Sequence, residues 1–121
     1  MEQIILNLYK TYDYLNKPIS ITRGETTVLS IQLEGSLIPT AYDLTDLEVR
    51  VAIRDKNYKV TEIESSYINV VDPLNGLIEV TLVPEIVGQT LIQIQVSDGE
   101  ARLTFQGFIY FVNRNPNEYL N

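Results

Sequence analysis

A chain of 121 residues has the length of one domain and is long enough to bury a core. Its apolar fraction of 45% is that of a globular protein, and its net charge of −7 with a pI near 4.4 disfavours nucleic acid and anionic membrane, which both demand a basic face. It holds no cysteine for a disulfide framework, no bilayer-length apolar run and no basic-then-apolar leader at Met1-Glu2-Gln3, so a soluble acidic protein made in a cytoplasm is expected.

Read in order, the chain is a series of short strands. Gln3 to Tyr9 places Ile4, Leu6 and Leu8 on one face, and Ile5, Asn7 and Tyr9 on the other. Because Ile5 and Tyr9 are also apolar, the spacing predicts a strand covered on both sides. Lys10 to Gly24 has no sustained period and reads as a loop or arm. Thr26 to Glu34 alternates cleanly, with Leu29, Ile31 and Leu33 inward, until Gly35 and Pro39 break it. Asp43-Leu44-Thr45 leads into Leu47 to Arg54, where Leu47, Val49, Val51 and Ile53 oppose Glu48, Arg50, Ala52 and Arg54. Asp55-Lys56-Asn57 predicts a turn, Tyr58-Lys59-Val60 a short strand, and Tyr67 to Val71 another.

The stretch from Asp72 to Val96 carries the strongest pattern. Pro73 and Asn75-Gly76 signal a turn, since Gly76 takes positive φ at no steric cost. Ile78, Val80 and Leu82 then share a face, and Ile92, Ile94 and Val96 repeat the device after a loop through Pro84 and Gly88. Asp98-Gly99 predicts the two central residues of a tight hairpin. The returning strand, Ala101 to Val112, changes character at Gly107, where a bulge is expected. Asp43 to Asp46 and Pro84 to Val87 have room for one helical turn each. Strands spaced by about ten residues, with turn signals between them, predict an all-β, antiparallel β-sandwich of about seven or eight strands over residues 1–112, followed by a polar tail over 113–121.

The chemistry-bearing residues are sparse. Without His or Cys the chain builds neither a Ser-His-Asp nor a Cys-His site and lacks the usual zinc ligands beyond carboxylates. Its glycines are isolated rather than gathered in a phosphate loop, and no stretch has the ligand spacing of an EF-hand. The acids sit at turns (Asp43, Asp46, Asp55, Asp72, Asp98) or on solvated strand faces, where turn aspartates bond their own backbone. No catalytic residue, cofactor or metal is therefore expected. Two features suggest protein contacts instead. Tyr9, Tyr12 and Tyr14 crowd into one short stretch, and tyrosine is enriched at interfaces; rings packed on their own domain's rim would look the same. Gln93 and Gln95 leave the outer face of the Leu91 to Val96 strand polar but uncharged, as interface cores are, although an exposed strand also tolerates glutamine.

The order of motifs resembles a family. Arg23-Gly24-Glu25 follows the first strand, Asp43-Leu44-Thr45 precedes an alternating strand, and Asn75-Gly76 enters a strand ending near Pro84. A loop at Gly88, a hairpin at Asp98-Gly99 and the closing Tyr110-Phe111-Val112 complete the series. Over about Ile4 to Val112 this resembles the N-terminal domain of the baseplate upper proteins of tailed phages infecting Gram-positive bacteria. Two departures stand out: Glu25 where the family pattern has Asp, and no C-terminal receptor-binding portion in this sequence. The resemblance implies an immunoglobulin-like sandwich without catalytic residues. It further implies a virion protein, made in the host cytoplasm, that docks at the tail tip through other virion proteins and self-associates in a symmetric assembly without nucleic acid or membrane. A capsid decoration or head-fibre anchoring protein, and a carbohydrate-binding module for cell-wall glycans, are the alternatives.

Overall fold

The computed structural model describes residues 4–7, 18–35, 40–105 and 107–116. Among these residues ten strands form two sheets: β1 (Ile4–Asn7), β2 (Ser20–Thr22), β3 (Thr27–Glu34), β4 (Glu48–Arg54), β5 (Val60–Glu62), β6 (Ile68–Asp72), β7 (Leu77–Leu82), β8 (Gly88–Ser97), β9 (Arg102–Thr104) and β10 (Phe108–Asn113). One sheet runs β1-β3-β7-β6. The other runs β2-β10-β8-β4-β5, with β9 beside the far end of β8. The molecule is a β-sandwich whose core lies between the sheets, where Leu29, Ile31, Leu33, Ile78, Val80, Ile92 and Ile94 have no solvent exposure.

Alternation explains why these segments pair as they do. On β3, β7 and β8 every second side chain is buried, so the pattern that predicts a strand also sets its register. Leu29 lies opposite Val80 and Ile31 opposite Ile78 in one sheet; Val51 lies opposite Ile94 in the other. A slip of one residue would turn each of these rows out to water.

Several local features differ from the sequence reading. Two pairings are parallel, β1 with β3 and β10 with β2, so the N-terminal segment supplies one edge strand to each sheet. The stretch read as a loop thus contains β2, a strand of three residues in which only Ile21 is buried, too short to show a period. β1 is covered on both sides only in part: Ile4 and Leu6 are buried on one face, and on the other Asn7 is buried while Ile5 is 47% exposed. The turn after β4 extends through Lys59, because the Asp55 carboxylate accepts the Asn57 and Lys59 N–H groups at 2.8 and 3.2 Å; β5 therefore starts at Val60, not Tyr58. The single helical turns fall at Ser65–Tyr67 and Pro73–Asn75, whereas Asp43 closes a side-chain turn on the Thr45 N–H at 2.9 Å.

Two glycines permit backbone approaches that no other residue would. Gly76 has φ 64°, and a Cβ there would meet the carbonyl oxygens of Tyr42 and Leu33 at 2.6 and 2.7 Å. Gly107 sits where the returning strand gains a residue. From Thr104 opposite Gln95 to Phe108 opposite Ile92 the chain advances four residues while β8 advances three. This is the expected bulge. It lets Phe105 and Phe108, an odd and an even position, both point into the core. A Cβ at Gly107 would stand 2.6 Å from the Ile92 carbonyl oxygen. The hairpin before β9 is longer than predicted: the last pair is Ser97 with Arg102, leaving Asp98 to Ala101 as a four-residue loop.

Candidate interaction surfaces

The sequence-predicted site residues fall into two groups. Tyr9, Tyr12 and Tyr14 lie outside the described residues. Gln93 and Gln95 occupy the outer face of β8 as expected, Gln93 exposed and Gln95 half-buried. Gln95 stands between Arg50 of β4 and Thr104 of β9, and its Nε2 donates to the Thr104 hydroxyl at 3.3 Å. Gln93 lies opposite Ala52. Together with Val60 and Glu62 these residues border a shallow depression of about 300 Å³ on the outer face of the second sheet.

The electrostatics of that face explain the lack of charge on β8. Arg50 is already matched: its Nε and Nη2 donate to the two Glu62 carboxylate oxygens at 2.7 and 2.9 Å. That bidentate pair holds the Glu62 carboxyl below its ordinary pKa and raises that of Arg50. A further charge at position 95 would meet a guanidinium already neutralised. Glutamine at 95 instead bonds a hydroxyl, so its neutrality has a local cause as well as a reading as an interface.

A larger concavity was not visible in the sequence. A groove of about 550 Å³ opens at the flank where β5 and β6 are the edge strands, between the inward side of β5 and the loop after β7. Ile53, Ile63, Tyr67, Leu82 and Ile86 give it an apolar wall, and Glu64 and Glu85 stand with Lys59 among its polar lining. At its base Tyr110 and Thr90 face each other across β10 and β8, both buried. Burial pushes the Tyr110 hydroxyl up to about 12, against the opposing effect of its hydrogen bond with Thr90. The lining comes from several segments far apart in the chain, which is why no local motif announces it.

Beside the groove, the β4–β5 turn carries an outlier. Tyr58 has φ 64°, a left-handed conformation that suits Gly or Asn and strains a ring-bearing residue. Its N–H donates to the Asp55 carbonyl at 3.0 Å, and its ring, 78% exposed, has the Arg54 guanidinium carbon 5.6 Å from its centroid.

Two motifs from opposite ends of the chain also meet. The Gly24 N–H of the Arg23-Gly24-Glu25 turn donates to the Pro84 carbonyl at 2.8 Å, tying the start of β3 to the end of β7. Among the described residues no group of three or more His, Cys, Asp or Glu side chains is placed to hold a metal ion, and no helix is long and apolar enough to cross a membrane.

No protein-family model matches the chain, and no curated protein matches it in sequence. By fold it is similar to the N-terminal domain of ORF48 of phage TP901-1, with a TM-score of 0.65 over 93% of this chain and 97% of that one, at 12% sequence identity. A weaker likeness, TM-score 0.46 at 18% identity over 79% of this chain and 84% of the other, joins it to the Lin-41 filamin domain.

Proposed function

We propose that this chain is a structural protein of a phage virion, a β-sandwich adaptor that docks at the tail tip or baseplate through protein–protein contacts. The observation that carries the reading is the near end-to-end fold likeness to an N-terminal domain from a phage. The order of motifs from Arg23-Gly24-Glu25 to Tyr110-Phe111-Val112, which resembles the baseplate upper proteins, points the same way. An acidic domain that offers sheet faces and, among its described residues, free strand edges suits a part that works by position. Ring symmetry would repeat a modest contact many times, so avidity replaces high single-site affinity. In this reading the Tyr9, Tyr12 and Tyr14 stretch forms one contact surface and the Gln93/Gln95 face another.

The test is immunogold electron microscopy of particles of the phage that encodes the chain, with mass spectrometry of the purified particles. Label at the tail tip is the expected result. Label over the head would make it a capsid decoration or fibre anchor and overturn the adaptor reading. Absence of the chain from the particles would overturn the virion reading altogether, and glycan binding by the isolated domain would then identify a carbohydrate-binding module. For the surfaces, replacing Tyr12 and Tyr14 with Ser is expected to leave folding intact and weaken assembly. Assembly of unchanged affinity would remove the tyrosine stretch from the interface.

A further inference from the structure

The open flank brings three independent features together. The first is a free strand edge. β5 pairs only with β4 among the described residues, and the bonds from Ile63 N–H to the Val51 carbonyl and from Asp55 N–H to the Lys59 carbonyl set the alternation. Lys59, Thr61 and Ile63 spend their backbone groups on β4; those of Val60 and Glu62 therefore point away from the sheet. The second is the groove directly inside that edge, apolar along Ile63, Tyr67 and Ile86 and acidic at Glu64 and Glu85 against the single Lys59. The third is the pair of exposed apolar side chains at the start of the edge, Tyr58 at 78% and Val60 at 65% exposure. Sandwiches ordinarily blunt such an edge with a lysine, a proline or a cover. Here Lys59 at the start of the edge lines the groove, and Val60, Thr61 and Glu62 follow with no lysine, proline or covering strand among the described residues. Tyr58 holds its ring outward from a backbone conformation that glycine would adopt without strain.

We propose that this edge and groove form a docking site for an extended basic segment of a partner protein, which adds to β5 as a further strand. Strand addition uses the backbone groups of Val60 and Glu62 for affinity and alternate side chains for specificity. Side chains on one face of the added strand enter the groove. Lys or Arg fits there, laying its alkyl stem along Ile63, Tyr67 and Ile86 and bringing its charge to Glu64 and Glu85. Side chains on the other face lie over Val60 and beside the Tyr58 ring, so small apolar residues fit there. Charge selects the occupant: a second copy of this chain carries a net charge of −7, whereas a basic segment is steered toward the acidic rim. The proposal does not depend on where in a particle the protein sits, so its failure and the failure of the virion reading are separate results.

The test is a titration of the ¹⁵N-labelled protein with a capped seven-residue peptide, Arg-Val-Lys-Val-Arg-Ile-Lys, and with its counterpart carrying Glu at every basic position. The basic peptide is expected to shift the amides of Val60, Glu62, Glu64 and Glu85 and to slow hydrogen exchange at Val60 and Glu62; the acidic one is not. The double variant Glu64→Lys with Glu85→Lys is expected to weaken binding by about tenfold or more. Tyr58→Gly relieves the backbone strain, so Tm is expected to rise by roughly 2–4 °C while peptide binding weakens, a combination that a purely structural tyrosine would not give. Shifts centred on the Gln93/Gln95 face or spread over the whole surface would overturn the site, and so would equal binding of the two peptides or undiminished binding by the double variant.

Discussion

The two flanks of the sandwich are made from the same alternating pattern and finish differently. At one flank β1 and β2 cap the two sheets, and Ile4, Leu6 and Ile21 fall to 5% exposure or less. At the other, β5 and β6 are the last strands; Val70 remains 37% exposed, and Ile53, Ile63 and Ile68 are only partly buried. The alternation that puts Val51 at 1% exposure puts Ile53, two residues on, at the wall of an open groove. An apolar position in the period is an invitation to burial, and whether it is taken up depends on what the opposite sheet places over it. Fully burying a large apolar side chain contributes about 1.5–3 kcal/mol, several times an exposed ion pair. The closed flank and centre therefore hold the fold, and the open flank is left for contact.

The sharpest break of that contrast is a cavity on each side. Ile94→Ala in the centre is expected to cost about 2–5 kcal/mol, and Val70→Ala on the open flank less than about 1 kcal/mol, both measured by urea unfolding with unchanged m-value. Equal losses would show that the flank is as tightly packed as the centre. Next comes the alkaline limb. Tyr110 ionises near 12 when folded and near 10 when unfolded, so the unfolded chain gives up its proton first as pH rises. Stability is complete below pH 10 and falls by about 2–3 kcal/mol by pH 12. Tyr110→Phe is expected to flatten that limb, and unfolding midpoints at pH 9, 10, 11 and 12 would measure it.

Gly107→Ala tests the bulge that lets one strand serve the core from odd and even positions. The new Cβ meets the Ile92 carbonyl, and the expected loss is about 1–3 kcal/mol, with amide shifts spreading along β8 and β10 in an HSQC spectrum. The smallest effect is expected at the exposed Arg50–Glu62 pair. Glu62→Gln should move Tm by little more than its scatter at pH 7. What the pair does contribute depends on an ionised Glu62, so it is present above the carboxyl's ordinary pKa and lost as pH falls through the depressed folded value. A large change at neutral pH would place an energetic anchor on the outer face of the second sheet, and the open flank would then help to hold the fold.

How far the sequence could be read follows the length of each periodic segment. β3, β7 and β8 are long enough to display several alternating pairs, and Gly76 declares its turn because only a residue without Cβ fits between the Tyr42 and Leu33 carbonyls. β2 and β5, at three residues each, show no period, and Tyr58 looks like a strand former until the Asp55 carboxylate captures the Asn57 and Lys59 amides on either side of it. The hairpin after β8 follows the same rule. Asp98-Gly99 suggests a two-residue turn, but the Asp98 carboxylate accepts the Glu100 and Ala101 N–H groups at 2.9 and 2.8 Å, which holds a four-residue loop and lowers the carboxyl's pKa.

By itself, then, the order of residues determined an all-β chain, the facing of its long strands, the Gly76 turn, the bulge at Gly107 and the uncharged outer face at Gln93 and Gln95. Those are local properties, written in a period of two and in the φ that each residue tolerates. Only the tertiary structure decided which strands became edges, that two of them joined in parallel, and that a groove opened inside β5. Those outcomes depend on partners distant in sequence, and a period of two says which way a side chain points without saying what will be there to meet it.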